Sequence, residues 1–580
     1  NLTEKPITST VFNTELMDGK RIFPFNHGTS LIALTSIEEL PPIWENVSEA
    51  QYQKAILVWR HYECKNLLDY MLIYMKLDVY LLADVFETFR TKSLDEDGLE
   101  PLAFFSIPGM SYASAMKRLE KPVELIQDPE MYKFFEGGIR GGITFVNKHH
   151  VVADNNTELL YVDVNNLYGW ALSQKLPCGN FKWIYEESLL NVYLDKCKSN
   201  ITFNDEDVAF TLEVDLFIPD EIQDMLDDLP VAPLSECPPG TKVKKLLLTH
   251  EPKQNYVVHC RLLQIWLTLG VQVTKVHRVV TYDQRTIFKD YIDMNTEKRA
   301  QSTNAFHKDF YKYKNNSLYG KMVENLKKRL NIRFAINSKR LMTYTSKPQF
   351  RRSMKIDDDL IALLLAKDRI VLDRPSYIGQ TVLDLSKVRM YNLQYTDLEQ
   401  YRVQFKCEIN IVAGDTDSFF LECKGIRLEN LIPRMMLDGL LDTSNYDKDD
   451  PFYSQQYNSK IGLIKDESKG VRYKEWIFLK PKCYSLLSDK TSLKAKGVRL
   501  RGTEIKHQTY LDVFKNDSII IIPQERIGSI AHQLYTFKFS KVALSCQDNK
   551  RSWIMKNKSL AYGHYLINCD NIYDFFPSSM

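Results

Sequence analysis

The chain has 580 residues, 44% of them hydrophobic and 26% charged, the balance of a globular protein with several cores rather than of a disordered or fibrous chain. Its formal charge of +2 excludes a globally basic nucleic-acid coat and leaves local patches as the only basic footprint. The ten cysteines are scattered without a Cys-x-x-Cys pair, so no zinc site is evident and a reducing, intracellular compartment is expected. No apolar run reaches the roughly 18 residues of a membrane span and no signal peptide is present, so no membrane partner is expected.

Residue 1 is Asn rather than Met, and the chain reads as a fragment or a processed product. Residues 1–50 are Pro-punctuated and irregular. From Tyr52 to about Phe89 the spacing of Leu67, Tyr70, Met71, Tyr74, Met75 and Leu77 predicts a helix, with Tyr74 and Asp78 on one face. A helical connector broken by Pro101, Pro108 and Pro122 leads to Gly137-Gly138-Ile139-Arg140-Gly141-Gly142. Glycines around one arginine let backbone approach a phosphate, and Arg140 is expected on a nucleic-acid backbone. Leu159 to Val164 reads as a buried strand whose one charge is Asp163, followed by a turn into a helix at Asn165–Tyr168. A carboxylate there requires a partner or a metal.

Residues 172–290 form an α/β elaboration with a strand at Val208–Leu216, a basic strand at Lys242–Thr249, a helix at Val258–Leu269 and a strand at Val271–Tyr282. Residues 290–321 read as one polar helix carrying Lys298, Arg299, Lys308, Lys312 and Lys314 and ending in Asn316-Ser317-Leu318-Tyr319-Gly320. Lys308, Lys312 and Tyr319 share a face able to hold a triphosphate and cover a base. Ile361 to Lys367 is helix-like, and Asp384-Leu385-Ser386-Lys387 is placed after a strand. Apolar Ile409, Ile411 and Val412 lead into Ala413-Gly414-Asp415-Thr416-Asp417-Ser418, with Phe419, Phe420 and Leu421 after it. This predicts a hairpin with an acidic turn, Gly414 supplying the permissive backbone. Lys482 and Tyr484 alternate onto one face of a strand, able to grip a DNA phosphate and pack a sugar. A basic stripe of Lys490, Lys494, Lys496, Arg499, Arg501 and Lys506 suits a duplex backbone.

An Asp-x-Asp turn alone is usually a solvated loop. Asp163 upstream supplies a third carboxylate, so a hard divalent cation has a donor set. The ordered set resembles family B DNA polymerases of the protein-primed branch, found in bacteriophages, linear plasmids and virus-like DNA transposons. Asp163-Val-Asn-Asn-Leu-Tyr168 resembles the first palm motif, Lys312-x3-Asn316-Ser317-x-Tyr319-Gly320 the fingers motif, and Asp415-Thr416-Asp417-Ser418 the palm hairpin. Lys482-x-Tyr484 resembles the primer-contact motif, Arg140-Gly141-Gly142 the link between exonuclease and polymerase modules, and Tyr74-x3-Asp78 the third exonuclease motif.

The resemblance implies an α/β (α+β) right-hand polymerase with palm, fingers and thumb behind a truncated 3′-5′ exonuclease domain. The implied domains are an exonuclease remnant and connector (1–135), linker motif and first palm segment (136–171), an insertion for terminal-protein and DNA contact (172–290), fingers (291–325), a second insertion with palm (326–408), palm (409–487) and thumb (488–580). It implies addition of dNTPs to a primer on a DNA template, with two Mg²⁺ ions, or Mn²⁺ in their place, on Asp163 and Asp417. Asp415 would support them. Lys298, Arg299, Lys308 and Lys312 would hold the triphosphate, with Asn316, Tyr319 and Gly320 at the nucleotide. Tyr168 would exclude a 2′-hydroxyl, and backbone N–H groups of Asn165 to Leu167 would cradle phosphate. Arg140, Gly141, Gly142, Ser317, Lys482 and Tyr484 would contact DNA, and a separate terminal protein would supply the priming hydroxyl.

Several positions depart from the pattern. Asn166 stands for a usual Ser, Gly169 for a frequent Pro, Ile139 for the linker Tyr, and Ala413 for an aromatic. The first two exonuclease motifs are missing, Asn13–Asp18 being a poor match, so proofreading is expected to be absent from this chain as given, unless a preceding region supplies it. Two other readings compete. A nucleotide-sugar glycosyltransferase also uses Asp-x-Asp but does not call for Asp163 on another strand. For a non-catalytic DNA-binding remnant of an integrated element, the three intact carboxylates and Lys312 argue against decay of the site, and the missing N-terminal motifs argue for decay of the gene.

Overall fold

The computed structural model describes residue 11 and residues 48–500, 503–530 and 533–568. Asn13–Asp18, most of the Pro-punctuated start and Arg501 of the basic stripe lie outside them. The described residues fall into two compact units, one holding residues up to Arg118 together with Asn295–Ser317, the other Leu119–Met294 and Leu318 onward.

The second unit is organised on a six-stranded sheet: β1 (Thr144–Val146), β2 (Thr157–Val164), β3 (Glu408–Asp415), β4 (Ser418–Lys424), β5 (Leu441–Asp442) and β6 (Ile464–Asp466), in the order β1-β3-β4-β2-β6-β5. Only β5 and β6 pair in parallel. Five helices bear on the functional residues: α1 (Leu67–Asp97), α2 (Leu167–Leu172), α3 (Lys289–Gln301), α4 (Ala305–Met322) and α5 (Ser376–Asn392).

The apolar runs on either side of the acidic turn become β3 and β4, and β4 pairs with β2 along its whole length, Ser418 opposite Asp163 and Lys424 opposite Thr157. That register follows from burial. A one-residue slip would turn Leu160, Val162 and Val164, each 1% exposed, to the opposite face. A four-stranded sheet (His150–Val152, Glu475–Lys480, Cys483–Leu487, Thr491–Ala495) packs on this one through Val146, Phe420, Trp476, Phe478 and Tyr484. The 172–290 elaboration is a separate four-stranded sheet of Lys175–Ile184, Gln272–Thr286, Val208–Phe217 and Lys253–His259 with the helix Cys260–Thr268.

Several expectations are corrected. The helix expected from Tyr52 to Phe89 is two, Glu49–His61 and α1, the second capped by Asn66 Oδ1 accepting from Asp69 N–H. The single helix expected over 290–321 is also two, because Asn304 Oδ1 accepts from His307 N–H (2.8 Å) and starts α4 afresh. The helix-like stretch from Ile361 to Lys367 is, up to Ala366, a strand, Leu360–Ala366, the centre of a three-stranded sheet. Asp384–Lys387 lies inside α5 rather than after a strand, and the basic strand at Lys242–Thr249 shrinks to Lys245–Leu247.

Candidate active site

Asp163 and Asp417 come together because β2 and β4 are neighbours. Val164 N–H donates to Asp417 O (2.7 Å), which fixes the end of β2 beside the turn. The turn itself is tight: Asp417 N–H donates to Asp415 O (2.8 Å) across Thr416, whose φ is +66°. A β-branched residue in that region is strained, and such strain persists only where surrounding contacts hold it. Here Thr416 N–H is held by Ile143 O (2.8 Å).

Gly414 is therefore not the residue that makes the turn, since the positive φ belongs to Thr416. A Cβ on Gly414 would lie 2.5 Å from the ring of Phe145, its partner across β1 and β3. Gly142 has the same role beside the turn, where a Cβ would stand 2.3 Å from Thr416 Cγ2. The glycine-rich link thus lets backbone pack against the acidic turn.

Burial raises the pKa of both Asp163 and Asp417. For Asp163 the charges of Asp417, Glu467 and Asp415 add to that rise; for Asp417 those of Asp415 and Glu467 do. Crowded carboxylates of this kind fit a hard divalent cation. Asp415 is different, because Lys482 Nζ donates to its Oδ1 at 2.5 Å. A second ammonium, Lys550 Nζ, donates to Thr144 O (2.6 Å) and Oγ1 (2.8 Å) on the strand residue opposite Asp415. Burial pulls Lys550 down to about 8.

Lys482 is not on a strand face. It occupies the Pro481-Lys482 turn between two strands with φ +62°, and its chain leaves that turn toward Asp415. Tyr484, on the following strand, is 6% exposed. Its ring packs on Phe420 (5.3 Å between centroids) and Phe478 (5.4 Å). Lys494 Nζ lies 5.3 Å from that ring.

Tyr168 on α2 and Tyr319 on α4 stack face to face, 4.7 Å between centroids and 5° from parallel. Burial and the Asp417 charge push the Tyr168 hydroxyl up to about 12, so the phenol is neutral. Asn166 (φ +44°) caps α2, its Oδ1 accepting from Gly169 N–H (3.1 Å). A Cβ on Gly169 would stand 2.1 Å from Asn166 Nδ2. The two departures at 166 and 169 therefore match each other, since a proline at 169 would have no N–H to give. Asn165 N–H is spent on Leu463 O (2.8 Å) and its side chain donates to Asp442 Oδ2 (2.8 Å). Of the Asn165–Leu167 cradle, that leaves Asn166 and Leu167 as donors.

Arg140 is inside the protein, 9% exposed. Its guanidinium lies 3.6 Å over the Tyr256 ring, and Nη1 donates to Val257 O (2.9 Å). The expected contact of this side chain with a nucleic-acid backbone is replaced by a structural one. Gly141 has open space beside its Cα.

In the first unit, Lys308, Lys312 and Asn316 form an exposed face of α4, and Arg299 on α3 is exposed too. Lys298 Nζ is 3.4 Å from Glu96. Ser317 is half-buried; in the second unit, Gly320 is exposed. Tyr74 is buried and Asp78 half-buried on α1. Among the described residues, Asp78 belongs to no group of three His, Cys, Asp or Glu ligands within reach of one ion.

Two residues escaped the reading of the sequence, and a third was read only as part of a stripe. Glu467 is exposed just after β6, and its N–H donates to Tyr161 O (2.9 Å). Lys494 was one lysine of a basic stripe, and Lys550 carried no pattern at all.

The sequence matches a family model described as DNA polymerase type B, organellar and viral, over residues 7–347. A search of curated protein sequences returned no match. Among solved structures, the chain is similar to Phi29 DNA polymerase in an orthorhombic crystal form, with 13% identity, 87% of this chain and 74% of that one covered, and a TM-score of 0.51. Phi29 DNA polymerase complexed with primer-template DNA gives 15% identity, 81% and 72% coverage and 0.50. Its ternary complex with primer-template DNA and incoming nucleotide substrates gives 15%, 81%, 72% and 0.51.

Proposed function

The chain belongs to the type B DNA polymerases of the organellar and viral kind, and from that premise we propose that it adds deoxynucleotides to a primer end on a DNA template. The observation that carries this is the pairing of β2 with β4, which sets Asp163 beside the Asp417 turn. Asp163 and Asp417 would hold two Mg²⁺ ions, which would supply the charge that lowers the pKa of a primer hydroxyl and neutralises a leaving pyrophosphate.

The remaining work falls to the chain's own groups. Glu467 adds negative charge at the edge of the pair. Asp415 orients Lys482, whose ammonium in turn faces the primer strand. Asn166 and Leu167 N–H groups take phosphate oxygens. Lys308 and Lys312, with Arg299 and Lys298, gather the triphosphate, and Asn316 and Ser317 continue that face. The Tyr168–Tyr319 stack forms the wall against which the sugar and the nascent base pair lie, with Gly320 leaving room beside it. Gly141 and Gly142 bring backbone close to DNA, with Arg140 holding that loop from within. Tyr484 acts by packing under the sheet rather than by touching DNA.

Priming by a hydroxyl of a separate terminal protein is the reading we attach to the protein-primed resemblance. No helix among the described residues is long and apolar enough to cross a membrane.

Extension of a primed template in Mg²⁺ and dNTPs tests the proposal. Growth of the primer that stops when Mg²⁺ is chelated supports it. Turnover of a sugar nucleotide, or duplex binding without extension, overturns it in favour of a glycosyltransferase or a DNA-binding remnant.

A further inference from the structure

Away from the acidic turn, Asp227, His250 and His564 meet inside the second unit, each offering a ligand atom within 4.8 Å of the others. They are 8%, 2% and 0% exposed. They come from distant parts of the chain: Asp227 follows the helix Asp220–Leu226, His250 the strand Lys245–Leu247, and His564 the strand Lys558–Leu560. A backbone bond from His250 N–H to Tyr562 O (2.7 Å) and a bond from Tyr565 N–H to the Gln223 side chain at Oε1 (2.7 Å) tie these segments together.

The histidine nitrogens are left over. Neither ring nitrogen of His250 has a hydrogen-bond partner, nor does Nε2 of His564. His250 Nε2 stands 3.7 Å from Asp227 Oδ1, beyond hydrogen-bond reach. Buried polar atoms without partners are costly and ask for a ligand. An imidazole binds metal through a ring nitrogen that carries no proton, and the unpartnered nitrogens here are free to take that role.

Two imidazoles and a carboxylate are a zinc donor set rather than a magnesium one. Arg551 Nη2 takes Asp227 Oδ2 (2.6 Å) and Ala561 N–H takes Oδ1 (2.8 Å), leaving a second lone pair on Oδ1. Asp224 Oδ1, 3.3 Å from His564 Nε2, approaches from the solvent side. Ligation through His564 Nε2 moves the ring proton to Nδ1, exchanging a long contact with Leu566 N–H (3.3 Å) for a metal bond.

We propose that Asp227, His250 and His564 form a structural zinc site, with Asp224 or water in the fourth position. The ion fastens the segment that carries Lys550, Arg551 and His564 to the helix Asp220–Leu226. Through Lys550, which donates to Thr144, it steadies the edge of the sheet at Asp415.

The full chain, stripped by a chelator and reloaded with Zn²⁺ or Co²⁺, tests this. One ion per molecule is expected to survive dialysis, with the visible bands of a tetrahedral, nitrogen-bound Co²⁺. Asp163→Asn keeps that ion, whereas His250→Gln and His564→Gln lose both ion and bands. No ion retained above the buffer background, or an unchanged Co²⁺ spectrum in both histidine variants, overturns the proposal. Should the variants fail to fold, the unmutated chain decides: Zn²⁺ must displace the Co²⁺ bands and raise the melting temperature, and failure of either overturns it.

Discussion

Asp415 and Asp417 are two residues apart and differ in their surroundings, because Lys482 sits on one of them. The 2.5 Å ion pair ties Asp415 to a strained lysine turn, while Asp417 faces Asp163. Around them the glycines are chosen for clearance. Gly142→Ala would push a methyl into Thr416, and Gly141→Ala would meet nothing within 4 Å. The first is expected to cost about 1–3 kcal/mol and to slow extension, the second to leave both close to unchanged; thermal unfolding and extension rates of the pair check it. Tyr168, flat against Tyr319, is expected to hold the sugar out of reach of a 2′-hydroxyl. Tyr168→Val should therefore raise incorporation of ribonucleotides relative to deoxynucleotides by about tenfold or more, while deoxynucleotide extension persists. Competition between the two nucleotide types on one template measures it.

At the scale of elements, the first unit is knotted at the end of α1. Asp97 and Lys314 pair at 2.8 Å with side chains 1% exposed, and Arg118 Nη2 adds a contact at 2.9 Å. Burial opposes the Asp97 charge, but Lys314 and Arg118 hold its carboxyl below the usual range; burial also pulls the Lys314 ammonium down. Asp97→Asn removes the nearer of the two carboxylates beside that ammonium, Glu96 Oε2 staying at 3.9 Å, and is expected to destabilise by about 3 kcal/mol. A depressed acid contributes above its unfolded value of roughly 4 and ceases to as pH falls through the folded one. The gap between the unmutated chain and Asp97→Asn should thus narrow on acidification, as urea unfolding followed from pH 7 downward would record; a constant gap would contradict it.

The elements also show where sequence was readable. The β3–β4 hairpin was legible because apolar runs flank a polar turn. Leu360–Ala366 was mistaken for helix because a short apolar run has no period to read. α5 was missed for a related reason: every residue from Ser376 to Tyr391 is buried, polar ones included, so no amphipathic stripe survives in the sequence. Lys482 was misplaced because Pro481-Lys482 carries no glycine, although a turn with φ +62° ordinarily asks for one.

For the whole molecule, the order of motifs revealed the family while their partners stayed hidden. Asp163, Tyr168, Lys312, Tyr319 and Asp417 lie in short strings that sequence displays directly. Glu467, Lys550 and the Asp227–His250–His564 group depend on segments far apart in the chain, and only pairing such as β2 with β6 brings them together. The account rests on a division of labour among three carboxylates. It is tested most directly by single-turnover addition of one dNTP to a bound primer-template in Mg²⁺, comparing Asp163→Asn, Asp417→Asn and Asp415→Asn. The first two are expected to lose about 1,000-fold or more while still binding DNA, and Asp415→Asn about tenfold, as a residue acting through Lys482. Near-normal addition by Asp417→Asn, or equal losses at all three positions, would contradict the account.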